Sequence, residues 1–285
     1  MSNSRRNFIR NTALAGLAVS TPFKNELFSM ANPKNTFGIQ LWTVKEALAK
    51  NPMAVLKHLS NSGYKQIESF EGANGMFWGM KNTAFKKELD NMGMMIVSSH
   101  CDISKDFERK AAEAGEIGMK YLICPSKGPQ KSIDDFKRFA DEFNKCGEIA
   151  NKHGIRFAYH NHDYSFKAMN GGIPQDVMMD STDPKLVDFE MDIYWVVAAG
   201  ANPVDYLNKY PNRFKLCHVK DLVKIPTGHE SCVIGKGTID FKNILKLGAQ
   251  KGLQYFIVEQ EAYTGTNELD CAKDNATAMS QLHWK

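Results

Sequence analysis

Eight short apolar runs, each followed by a longer amphipathic stretch and several closing on a histidine or carboxylate, leave this chain few folds to choose from. The runs are Thr36–Trp42, Lys65–Phe70, Met94–Ser99, Lys120–Cys124, Phe157–His160, Val187–Met191, Phe214–Val219 and Tyr255–Val258. Between them lie helical patterns with recognisable ends. Asn51 caps a helix that carries Pro52 at its first position and stops at Gly63. Further helices are expected over Thr83–Met92, Ser104–Ile117, Ser132–His153, Pro174–Asp180, Pro203–Tyr210 and Asp240–Lys251, with a terminal helix ending near Leu282. Asp221–Gly237 reads as a long polar loop. Eight strand–helix units in one chain of this length define an α/β protein with a single (β/α)8 TIM barrel. A doubly wound open sheet fits less well. No GxGxxG follows the first strand, and the chemistry is spread over many strand ends.

The first 31 residues differ from the remainder. Ser4-Arg5-Arg6-Asn7-Phe8-Ile9-Arg10 precedes a weakly hydrophobic segment through Val19, and Ser29-Met30-Ala31 offers a small-x-small cleavage site. Residues 1–31 therefore resemble a twin-arginine export signal, with residues 32–285 as the barrel and the periplasm as the expected location. Arg5, Arg6, Arg10 and Lys24 against Glu26 carry +3 of the formal +4, leaving about +1 for the remainder. A nearly neutral body lacks the basic footprint of a nucleic-acid-binding protein, so no nucleic-acid partner is expected. No uninterrupted apolar tract is long enough to span a bilayer, so no membrane anchoring is expected once the signal is removed. The six cysteines show no CxxC pairing and read as reduced and mostly buried.

In such a barrel the strand ends and the loops after them gather around one axis. Glu68, His100, His160, His162, Asp192, His218 and Glu259 all lie at or beside such ends. Imidazoles and carboxylates together make a nitrogen/oxygen donor set suited to Mn²⁺, Zn²⁺, Co²⁺ or Fe²⁺. Cys217, adjacent to His218, should face the opposite way in its strand.

The segments FGIQLW, GYKQIESF, IVSSH, FAYHNHD, FEMDIYWV, LCHVKD, IGKGTIDF and IVEQE, in that order, resemble the xylose isomerase-like TIM barrel family of sugar phosphate isomerases and epimerases, with YHNHD marking a subgroup. The likeness covers about Thr36 to Glu261. It implies a divalent metal held at the ends of strands five to eight, with Asp192, His218 and Glu259 in the last three ligand positions. His160 stands where the family usually has a glutamate, and Trp195 where its epimerases have a histidine. Epimerisation by two opposed glutamates is therefore not the expectation. What remains is proton transfer beside a metal-polarised carbonyl of a small carbohydrate, as in an isomerase or epimerase-like enzyme. The alternatives are a lyase or dehydratase acting on keto-sugars such as 3-keto-glycosides and, less favoured, an abasic-site endonuclease or a non-catalytic sugar-binding barrel.

His162 is the first candidate base and Glu259 the second. His100 and Glu68 would orient hydroxyls or act as acid, and Lys220 would neutralise developing charge. Gln40, Trp42, Trp78 and Trp195 are candidate substrate contacts, and Phe77 is a further ring able to stack. Asn161 and Asp163 are candidates for fixing imidazole tautomers. Gly235-Lys236-Gly237 reads as a turn before a helix sooner than as a phosphate cradle. Periodicity does not decide which of His160 and His162 faces the axis. The oligomeric state stays open, a homo-oligomer included.

Overall fold

The computed structural model describes residues 36–284; the expected export signal over residues 1–31 lies outside them. Eight parallel strands close into a barrel: β1 (Gly38–Gln40), β2 (Gln66–Phe70), β3 (Met95–His100), β4 (Tyr121–Cys124), β5 (Arg156–His160), β6 (Val187–Asp192), β7 (Phe214–Val219) and, later in the chain, β10 (Tyr255–Val258). Each pairs with its neighbours in sequence order, and β10 closes the ring on β1 through Gly38↔Ile257 and Ile39↔Val258.

The helices follow from local chemistry. Asn51 accepts a hydrogen bond from the Ala54 N–H, Pro52 opens α2 (Pro52–Ser62), and Gly63 ends it at φ 108°, a conformation open to glycine. At the start of α5 (Ile133–Lys152) the Asp135 carboxylate reaches back 3.0 Å to the Ser132 N–H. Phe136 and Phe143 on this helix are fully buried; Phe143 packs against Phe157 and Tyr159 of β5. Since side chains alternate along a strand, Phe157 and Tyr159 serve the helix layer while Ala158 and His160 belong to the barrel interior. There Ala158 packs with Tyr121, Ile123 and Leu216.

Three features differ from the sequence expectation. The first strand is shorter, because the Gln40 side chain accepts from the Trp42 N–H and turns the chain into a 3-10 helix over Leu41–Val44 and then α1 (Lys45–Lys50). A short helix, α7 (Ile193–Ala198), follows β6 directly, its first turn capped by the Asp192 carboxylate through the Trp195 N–H. The polar stretch after β7 contains an antiparallel hairpin, β8 (Asp221–Ile225) and β9 (Gly228–Cys232). The turn beyond it is organised by Asp221, whose carboxylate accepts from the N–H groups of Leu222, Gly235, Gly237 and Ile239. A Cβ at Gly237 would come within 2.3 Å of Asp221 Oδ1, so glycine is required there. The amides of Gly235 and Gly237 are thus spent on a carboxylate of the chain itself, in keeping with a turn.

All six cysteines are free, and Cys217 is fully buried on the strand face opposite His218. Among the described residues no helix is long and apolar enough to cross a membrane.

Candidate metal centre and its cavity

The C-terminal ends of β5, β6, β7 and β10 deliver His160, Asp192, His218 and Glu259 to one place, all buried, with one donor atom from each lying within 4.8 Å of the others. His160 Nε2 is 3.5 Å from Asp192 Oδ2, and His218 Nδ1 is 3.6 Å from that oxygen and 3.1 Å from Glu259 Oε2. Two of these atoms, His160 Nε2 and Asp192 Oδ2, are buried without a hydrogen-bond partner. Orphaned buried donors and acceptors are costly, and a shared cation removes the cost.

The surroundings aim the two imidazoles. His160 Nδ1 lies 3.0 Å from the Pro125 carbonyl oxygen, to which it donates, leaving the Nε2 lone pair facing the cluster. His218 Nε2 donates to Glu68 Oε1 at 2.7 Å, and Nδ1, 3.1 Å from Glu259 Oε2, is the atom that would turn from hydrogen-bond donor to ligand when a cation enters. Asn161 clamps the backbone of Asp192, donating to its carbonyl at 3.2 Å and accepting from its N–H at 3.1 Å. Asp163 takes no part, being paired with Lys167. The position of His160 on β5 places it in the cluster, whereas His162, beyond the strand end, lines the cavity.

Lys220 is fully buried, with Nζ 3.1 Å from Glu259 Oε2, 3.6 Å from Asp192 Oδ2 and in contact with Glu261. Burial disfavours its charge, but Glu259 and Asp192 outweigh that and hold it protonated, well above its ordinary value. Burial likewise acts to raise Asp192 and Glu259, and Lys220 in front of the histidines reverses both shifts, keeping the two carboxylates ionised. His218 is driven up despite its burial by Glu190 and Glu259. Asp192 and Glu259 thus share Lys220 and the His218 imidazolium as their positive partners, and a cation would take the place of the His218 proton between them. The donor set fits a divalent metal with nitrogen and oxygen ligands.

A second layer lies behind the first. Glu68 accepts from Gln40 at 2.8 Å and from Ser98 at 2.6 Å, and Glu190 Oε2 lies 2.9 Å from His100 Nε2. Burial pushes Glu190 up, assisted by Glu68, whereas in Glu68 the histidines outweigh burial and bring it down to about 2. Glu190 escaped the sequence reading, although it sits two residues before Asp192 and so on the same strand face. Glu68 and Gln40 stand in this layer and do not line the cavity.

Above the centre opens a cavity of about 540 Å³ lined by, among others, Trp42, His100, His160, His162, Trp195 and Glu259. Trp42 is 38% exposed at its wall and Trp195 packs on His162. Trp78 stands behind Phe70, donating to Ser69 Oγ, and Phe77 packs on Phe85; neither lines this cavity. His162 Nδ1 is buried with no hydrogen-bond partner, and burial, with His160 beside it, pushes the imidazole down to about 3, so it stands unprotonated.

Residues 56–282 match the family described as the xylose isomerase-like TIM barrel. A Clostridium beijerinckii protein named inosose dehydratase is 32% identical over 221 residues, covering 62% of this chain and 72% of that one. The crystal structure of a sugar phosphate isomerase/epimerase from Parabacteroides distasonis is 28% identical with a TM-score of 0.75, covering 90% of this chain and 98% of that one. A structure of the IolI protein with a bound zinc atom shares the fold at 13% identity and a TM-score of 0.68, covering 87% and 97%. The chain belongs to the xylose isomerase-like TIM barrel family and is a carbohydrate-modifying enzyme of that superfamily.

Proposed function

We propose that this enzyme is a metal-dependent lyase acting on a small polyhydroxylated ketone, removing the proton on the carbon beside the carbonyl and expelling the substituent one carbon further on. The observation that carries the reading is an asymmetry of bases. Glu259, the carboxylate in the position of an epimerase base, is tied at 3.1 Å both to Lys220 and to His218. The opposite position is an imidazole, His160, whose Nδ1 is committed to Pro125. This leaves His162, unprotonated and lining the cavity, as the base. One free base suits elimination, which needs a single proton abstraction; epimerisation needs bases on both faces.

His160, Asp192, His218 and Glu259 would hold the cation. When bound, a divalent ion there supplies positive charge to stabilise the oxyanion that develops as the carbonyl enolises. His162 takes the proton, the electron pair moves onto the carbonyl oxygen, and its return expels the hydroxyl or alkoxide, which leaves with a proton. Burial keeps His100 unprotonated and Glu190 protonated, so Glu190 is placed to return that proton through His100, 2.9 Å away on the cavity wall. The name of the Clostridium beijerinckii relative, a dehydratase, supports elimination; that of the Parabacteroides distasonis structure supports isomerisation, which shares the first proton transfer. Trp42 and Trp195 would offer apolar faces to the substrate ring. The Arg5-Arg6 segment supports a periplasmic site of action.

Mass spectrometry of products from a panel of keto-sugars and 3-keto-glycosides tests the assignment. Elimination yields a product lighter by the leaving group and one hydrogen. A product of unchanged mass across the whole panel would assign isomerisation instead.

A further inference from the structure

The layer behind the metal centre has a coordination geometry of its own. Four donor atoms converge there from four strands: Glu68 Oε1 from β2, His100 Nε2 from β3, Glu190 Oε2 from β6 and His218 Nε2 from β7. Going round the quartet, Glu68 to His218 is 2.7 Å, His218 to Glu190 3.4 Å, Glu190 to His100 2.9 Å and His100 to Glu68 3.3 Å. A tetrahedral ion with bonds of about 2.0–2.1 Å holds its donors about 3.3 Å apart, so a cation would open the two closest pairs by roughly 0.4–0.6 Å.

Charge points the same way. Glu68 is fully buried and Glu190 1% exposed. Among the described residues their ion-pair partners are His100 and His218, with no lysine or arginine. Lys220 serves the other layer. Glu190 Oε1 is, in addition, buried with no hydrogen-bond partner. Two buried carboxyls and two imidazoles make a donor set of the kind zinc takes, and a divalent cation there would displace the proton that burial keeps on Glu190.

We propose that Glu68, His100, Glu190 and His218 form a second site for a zinc-like divalent cation, distinct from the strand-end centre and joined to it by the His218 ring. His218 presents Nδ1 to the first quartet and Nε2 to the second. Filling both sites would displace the protons from both ring nitrogens to solvent and leave the imidazolate between the two ions. His100, which lines the cavity, marks the route of entry. A filled second site would take His100 and Glu190 as ligands, so the leaving group would then draw its proton from solvent; the count of bound metal does not depend on the reaction catalysed.

The test is a count of bound metal. The full chain is stripped with a chelator, given Zn²⁺ alone, separated from free ion and analysed for zinc per chain. The wild type should hold two equivalents, Glu190→Gln one and Asp192→Asn one. One equivalent in the wild type, or two retained by Glu190→Gln, would overturn the proposal. Should Glu190→Gln fail to fold by circular dichroism, His100→Gln takes its place, and the wild-type count decides by itself.

Discussion

Lys220 Nζ lies 3.1 Å from Glu259 Oε2 in a fully buried position, so the end of β10 is tied to the residue just past β7 by a charge pair shielded from water. The pair occupies space beside the same carboxylates that form the cation quartet. A metal held there would therefore add a second positive charge to the acids that Lys220 already serves.

Lys220→Met should accordingly destabilise the metal-free protein by about 3–5 kcal/mol, the usual consequence of leaving buried carboxylates without their cation. Added Zn²⁺ should restore much of that loss, because the ion neutralises Asp192 and Glu259 directly. Thermal unfolding with and without metal reads both effects. Equal destabilisation in the two conditions would argue against shared carboxylates.

Asn161→Ala removes both hydrogen bonds that hold the Asp192 backbone. The expected cost is about 1–3 kcal/mol of stability, from two buried backbone groups left unpaired. Metal affinity should fall roughly 10–100-fold, as for other residues that orient a ligand from behind. Competition with a chromogenic chelator measures the affinity.

The pH dependence of stability carries the mark of His162. Its imidazole titrates near 6.5 in the unfolded chain and is brought down to about 3 in the folded one. Between those values the unfolded state binds more protons, so folding stability contributed by this residue is fully present above 6.5 and declines as pH falls toward 3. At pH 5 the decline amounts to about 2 kcal/mol. Denaturant unfolding of His162→Gln should show a flatter profile over this window than the wild type.

The fold was legible because barrel strands are short apolar runs and their helices carry their own caps, as at Asn51 and Gly63. The hairpin over Asp221–Cys232 was not, since its second strand, Gly228–Cys232, is polar and the turn beyond is organised by distant amides converging on Asp221. Within the site, strand ends marked His160, Asp192, His218 and Glu259 as neighbours, because closure of the barrel brings those ends together. The choice between His160 and His162 was hidden by the backbone change after β5, where alternation stops and a 3-10 helix begins at Asp163. Glu190 was missed although period-two spacing puts it on the face of Asp188 and Asp192. Gln40 and Glu68 resembled cavity residues from sequence but serve the layer behind. Their placement depends on how deeply each strand enters the barrel, which alternation does not reveal.

The most direct test of one-base elimination follows the proton that His162 is assigned to take. A keto-glycoside deuterated at the carbon beside its carbonyl is given to the metal-loaded enzyme, and loss of deuterium to solvent is followed with product release. The account predicts a primary isotope effect in the wild type, and for His162→Gln a fall in deuterium loss of about 10²–10⁴-fold with the metal still bound. Unchanged deuterium loss in His162→Gln would contradict it and shift the proton transfer to another residue.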